Sequence, residues 1–265
     1  MTRLLSLRTY AFLYLAFLYI PVLFLPLFSF NDGTIVAFPI KGWTLEWYRQ
    51  LGDQDTLLRA LMNSLVVGAT TACAATAMGL FAARAYVRYR FRGREVSEGI
   101  VMLPLVVPGI IVASSMLVLF LTIGLKPSLG TVILGHTFLA LPFAVSILKS
   151  AFDDFDVALE EAALDLGSTT WGVFRRVTLP IVAPGIVSSL LVTFTVSFDE
   201  FVLAFFLSGN QPTLPVYIWS QIRFPAKLPS TLALGSLLLL ASVLMLVIAE
   251  TVRRRATGKP VRGPR

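Results

Sequence analysis

Cysteine and histidine are almost missing from this chain of 265 residues: Cys73 and His136 are the only ones. A lone cysteine forms no internal disulfide, and it leaves no cysteine-based metal site. Cys73 lies in an apolar run and reads as a small packing residue. His136 also lies in an apolar run and reads as a buried, hydrogen-bonded histidine rather than a ligand. The sequence has no metal-ligand cluster, no nucleophile turn and no Gly-rich Lys-Ser/Thr phosphate loop. We therefore expect no catalytic residue, no metal and no cofactor on this chain. If ATP drives it, another chain must bind the ATP. Charged residues make up only 14% of the total, too few for the surface of a soluble protein this size. No internal repeat and no compositional break marks a second domain, so one transmembrane domain over 1–265 is expected.

What the chain has in quantity is apolar length. Hydrophobic residues are 56% of the sequence and the mean hydropathy is +0.80, which places it among all-α polytopic membrane proteins. Six runs are long enough to span a bilayer: about 10–30, 60–83, 99–123, 130–149, 181–207 and 231–250. The first follows Arg3 and Arg8, is too long for a secretory h-region, and lacks a small-x-small cleavage site, so it is expected to be retained. Asn31-Asp32-Gly33 and Pro39 break the chain after it. Trp43, Trp47 and Tyr48 are interfacial types, and a short surface helix is expected there. The second run is rich in Ala and Thr, small residues that let helices pack closely in lipid. The third is interrupted by Pro104, Pro108 and Gly109, breakers tolerated at membrane depth where protein or a cavity satisfies the backbone.

The net charge of +7 is a topology signal. Six spans put both termini on one side. That side, with the 84–94 loop and the 150–180 loop, holds 16 of the Lys and Arg residues against 6 on the other, so termini and both loops are expected to be cytoplasmic. Arg84, Arg88, Arg90, Arg92 and Arg94 alternate with Tyr86, Tyr89 and Phe91. Directly after an apolar span this pattern reads as a cytoplasmic flank, and no nucleic-acid partner is expected.

The longest strongly charged interior stretch is 153–180. It reads as two short helices with a joint. Asp156 can cap the first. Leu159, Ala162, Ala163 and Leu166 recur at helical spacing as an apolar face, with Glu160, Glu161 and Asp165 off it. Gly167 supplies the stop. Ser168 can cap a second helix, which carries Arg175 and Arg176 and ends before Pro180. An amphipathic hairpin on the membrane surface is the plainer alternative, but such helices usually carry a basic polar face.

This stretch resembles the cytoplasmic EAA loop of the permease subunits of ATP-driven (ABC) importers. The family's spaced pattern appears as Glu161-Ala162-Ala163, Gly167, Val177 and Leu179-Pro180, with Val177 where the family has Ile. The resemblance implies a type I importer permease of six transmembrane helices in a bacterial inner membrane. It implies that Glu160, Glu161, Ala162, Ala163, Asp165, Gly167, Leu179 and Pro180 couple to an ATPase. It also implies the partners: a second permease subunit, two ATPase subunits that handle ATP and Mg²⁺, and an extracytoplasmic substrate-binding protein.

Asp199 and Glu200 are the acidic residues deep within an expected span. A charge in hydrocarbon costs at least about 2.5–3.5 kcal/mol and so faces a cavity or a partner. Asp199 lies roughly 22 Å along the fifth span from Pro184, in its outer half. Ser188, Thr195 and Asp199 recur on one helical stripe, and Ser189, Thr193 and Glu200 on the next, as expected for a pore lining. A salt bridge or a cap at a helix break is the structural alternative. Ser197-Phe198-Asp199-Glu200, Trp43 to Tyr48 and Asn63-Ser64-Leu65 resemble the spermidine/putrescine permease group. That resemblance implies cation passage along the acidic residues of this helix and past Trp47. The group often has an acidic residue after the third-span proline, where this chain has Pro108-Gly109. Polyamine is the first expected substrate; opines, other amines and aminoalkylphosphonates stay open. A lone ion-coupled secondary transporter using Asp199 and Glu200 as proton sites is the competing class, but it leaves the acidic elbow without a role.

Overall fold

The computed structural model describes residues 2–33, 35–40 and 42–257, with side chains for 7–33, 35–40 and 42–244. The basic residues Arg3, Lys41 and those from Arg253 onward, counted above, have side chains outside that description. Twelve α-helices follow in order: α1 Thr2–Ser29, α2 Glu46–Gly52, α3 Asp55–Arg88, α4 Arg94–Met102, α5 Gly109–Thr122, α6 Leu129–Asp153, α7 Ala158–Asp165, α8 Thr170–Val173, α9 Leu179–Asp199, α10 Val202–Leu207, α11 Leu214–Ile222 and α12 Leu228–Thr257. There is no β-strand among the described residues, only an isolated bridge between Asn31 and Trp43. Helices are forced on such a sequence, because lipid offers no partner for a free backbone N–H or C=O.

Among the described residues, five helical segments are long and apolar enough to cross a membrane, and a sixth forms if α4 and α5 count as one span. Those two helices meet at 102°. The break falls at the breakers read from the sequence: Pro104 lies in a short 3₁₀ turn, and Pro108 is extended and starts α5.

Two compact units are formed. One contains the described residues up to Asp55 and from Ile218 on. In it α1 packs against α12, and α12 against α2. The Trp47 indole N–H donates to the Asn31 carbonyl at 2.8 Å, and the Tyr48 hydroxyl bonds Ser29. The surface helix expected at Trp43–Tyr48 begins later, at Glu46.

The other unit runs from Thr56 to Tyr217. Its centre is α6, packed along α9. Small residues make the contact possible. A Cβ on Gly185 would sit 2.5 Å from the Ala151 Cβ, and one on Gly79 would sit 2.7 Å from the Ala144 Cβ. Ala75, Ala140 and Ala144 fill the seam between α3 and α6. The close packing expected of the second run is therefore what α3 does. Cys73 corrects the reading above: it is exposed in this chain, because α3 turns Ala72, Ala75 and Thr76 inward instead. His136 is buried as expected, with Nδ1 2.8 Å from the Ser197 hydroxyl.

The fifth span also differs from expectation. Its helix ends at Asp199, and Glu200 is extended at φ −71°, ψ 114°. The Glu200 carboxylate, one residue before the N-cap position Phe201, accepts the Leu203 N–H at 3.0 Å in the first turn of a new helix, α10. Leu203, Ala204 and Leu207 of α10 are fully buried against Ala113, Phe120 and Val132.

Candidate functional site

The elbow forms from local chemistry. The Asp156 carboxylate accepts the Ala158 N–H at 3.0 Å at the start of α7. Gly167 closes α7 with φ +86°, a left-handed conformation that glycine adopts without strain. The second arm starts one residue later than expected. Thr169, not Ser168, is extended and accepts the Gly172 N–H at 3.1 Å. That arm also does not stop before Pro180. It passes through a π turn, Phe174–Thr178, and continues into α9 as one helical segment, Thr170–Asp199. Pro180 brings no N–H for the carbonyl one turn back, and the π turn just before it re-registers the ladder there.

The faces of α7 depart from the amphipathic reading at Leu159, Leu166 and Glu160. Leu159 and Leu164 are exposed, and Leu166 is 88% exposed, while Glu160 is buried. Charge drives this. Glu160 Oε1 lies 3.5 Å from Arg84 Nη2, and its Oε2 lies 3.9 Å from Arg88 Nε, both on α3. The Thr178 hydroxyl donates to Oε1 as well. Glu161, Ala162 and Asp165 face outward, and Ala163 is half-buried. Leu179 is half-buried and Pro180 exposed, at the start of α9. The elbow thus offers exposed carboxylates and exposed leucines together, beside the exposed Trp171.

The two polar stripes of α9 part company. Ser188, Thr195 and Asp199 are exposed; the two hydroxyls donate to Pro184 and Leu191 carbonyls at 2.8 and 2.9 Å. Ser189 and Thr193 instead face the protein, with Ser189 2.9 Å from the Thr76 hydroxyl of α3. Their stripe is a helix contact, not a lining. Neither Asp199 nor Glu200 makes an ion pair among the described residues. Glu200 has a local job as the cap of α10. Asp199 has none. It sits at the negative end of the α9 dipole, where a carboxylate is disfavoured by about 0.3–1 kcal/mol.

Residues 75–258 match the family model for the binding-protein-dependent transport system inner membrane component. This chain belongs to that family. The permease is 33% identical over 230 residues to the spermidine/putrescine transport system permease protein PotC of Escherichia coli K12, covering 86% of each chain. It is 36% identical over 244 residues to the putrescine transport system permease protein PotI of the same organism, covering 89% of this chain and 86% of the relative. Its fold matches a chain of a bacterial alginate ABC transporter crystallised with a pentasaccharide-bound periplasmic protein, at TM-score 0.74 and 20% identity over 98% of this chain and 96% of that one. The permease is thus a multi-pass inner-membrane subunit of an ABC importer.

Within the permease, sequence reading missed Arg84, Arg88 and Thr178 as partners of the elbow. A signal existed: Arg84 and Arg88 are one helical turn apart, so they share a face of α3. Lys149 on α6 pairs with Glu98 on α4. The end of α3, α4 and the elbow therefore gather at one end of this unit.

Proposed function

We propose that this permease carries a polyamine, spermidine or putrescine, along the exposed face of α9. Asp199 carries the reading. It is an exposed carboxylate with no cationic partner among the described residues, at a helix end whose dipole adds to its negative potential. The polyamine names of PotC and PotI point the same way. Ser188 and Thr195 extend that face toward the cytoplasmic end. The importer is completed by a second permease subunit, two ATPase subunits and an extracytoplasmic binding protein. ATP and Mg²⁺ belong to the ATPase subunits, which dock on the outward face of the elbow. Closure of the ATPase pair shifts the elbow, and the pathway alternates its access.

Proteoliposomes containing the complete importer test the substrate. Labelled spermidine or putrescine is expected to accumulate with ATP, and an opine is not. Opine uptake without polyamine uptake would reassign the substrate.

Orientation is a separate expectation. With Cys73 replaced by Ser, cysteines introduced within 84–98 and 150–178 should resist a membrane-impermeant thiol reagent in intact cells. This follows from the 16-to-6 distribution of Lys and Arg. Labelling of the elbow from outside would reverse the topology.

A further inference from the structure

We propose that Glu160 is a positioning residue that ties the elbow to the membrane helices, rather than a contact for the ATPase. Adjacent glutamates at the family motif face opposite ways: Glu161 is exposed and Glu160 is buried. The Glu160 carboxylate meets Arg84 at 3.5 Å, Arg88 at 3.9 Å and the Thr178 hydroxyl. One side chain of α7 thereby holds the end of α3 and the end of the π turn that leads into α9. Both guanidinium groups lie over aromatic rings, which favours their charge in a poorly hydrated place. Arg84 Cζ is 4.7 Å from the centroid of Phe174, and Arg88 Cζ is 4.8 Å from that of Phe155.

The charge count makes the arrangement sensitive. Two arginines one turn apart repel, and a single carboxylate sits between them. Arg84 Nη1, Arg88 Nε and Arg88 Nη2 are buried without a hydrogen-bond partner among the described residues, so the Arg88 contact with Glu160 is an ion pair without a hydrogen bond, and Glu160 is the anion on which the cluster depends. Removing one member of such a cluster leaves buried charge uncompensated, whereas removing an exposed charge does not. A push on α7 reaches α3 and α9 through this group as well as along the chain through Gly167.

The inference rests on the elbow being the coupling element, and Glu161→Lys serves as the control for that reading. In the reconstituted importer, Glu160→Gln keeps an oxygen for Thr178 and deletes only the charge. It is expected to lower transport per ATP hydrolysed by about tenfold, the order seen for residues that carry coupling. Basal ATP hydrolysis and the amount of ATPase bound to the permease should stay within about twofold of wild type. Thr178→Val should lower transport per ATP in the same direction by a smaller factor. Transport per ATP unchanged in Glu160→Gln, while Glu161→Lys abolishes it, would overturn the proposal and leave the coupling reading intact. Release of the ATPase by Glu160→Gln, as expected for Glu161→Lys, would make Glu160 a docking residue and also overturn it. If Glu160→Gln fails to accumulate, Thr178→Val decides: wild-type transport per ATP in that variant would reduce the cluster to scaffold.

Discussion

Asp199→Asn should lower polyamine uptake by about tenfold to a hundredfold while leaving assembly and basal ATP hydrolysis intact. The size follows from Coulomb's law. At an effective dielectric of about 20, a unit-charge pair at 4 Å gains roughly 4 kcal/mol. Desolvation of both ions opposes that gain, and a loss of about 1.4 kcal/mol already corresponds to tenfold. Glu200→Gln should do less. Its side-chain oxygen can still accept the Leu203 N–H, which Glu200 now accepts at 3.0 Å. Glu200→Ala loses the cap as well and should cost about 0.5–2 kcal/mol of stability. Comparing the two Glu200 variants separates charge from cap. The measurement is initial uptake of labelled spermidine and putrescine in proteoliposomes. Full uptake by the double variant Asp199→Asn, Glu200→Gln would show that neither residue lines the path. Loss of expression instead of uptake in Asp199→Asn would assign Asp199 a structural role.

Transport should fall below about a tenth of wild type in Gly167→Pro. Proline holds φ near −65°, and Gly167 needs φ +86° to turn the chain between the two arms of the elbow. Gly167→Ala should be milder, since a left-handed alanine costs about 1–2 kcal/mol and displaces nothing. No atom lies within 4 Å of a Cβ placed there, so backbone conformation alone is at stake. Glu161→Lys should give a comparable loss by another route. Glu161 is exposed, so the substitution leaves the fold of α7 alone and reverses a charge on its outward face. ATP hydrolysis stimulated by the loaded binding protein is the readout. Unchanged transport in both Gly167→Pro and Glu161→Lys would remove the elbow from the coupling pathway.

Some of this was legible in the sequence, and particular residues show why. Gly167 was legible because a helix stop followed by another helix asks for a left-handed residue, a local demand. The break at Pro108 was legible for the same reason. The end of the fifth span was not, because hydropathy runs on through Asp199-Glu200 into the apolar residues of α10. Only the structure shows that one helix ends at Asp199 and that the Glu200 carboxylate then accepts an N–H in the first turn of the next. Ser168 and Thr169 are both good capping types, and the choice between them rests on which is extended. The burial of Glu160 lay furthest from reach. Spacing put Glu160 outside, but Arg84 and Arg88 on a distant helix draw it in. In a membrane protein the apolar face of a helix also need not be its inner face, as Cys73 and Leu166 both show.

The π turn between Phe174 and Thr178 has a consequence for chain length. Each residue of an α-helix advances its direction by about 100°. A π turn takes up one residue more than the α-helical path, so it sets the azimuth of the elbow against that of α9. Thr178 faces Glu160 and Asp199 faces outward only because both azimuths are met in one continuous helix. Residue count fixes the azimuth, and Phe174 and Thr178 then supply the contacts made there: removing one of the five residues at 174–178 would turn Thr178 away from Glu160.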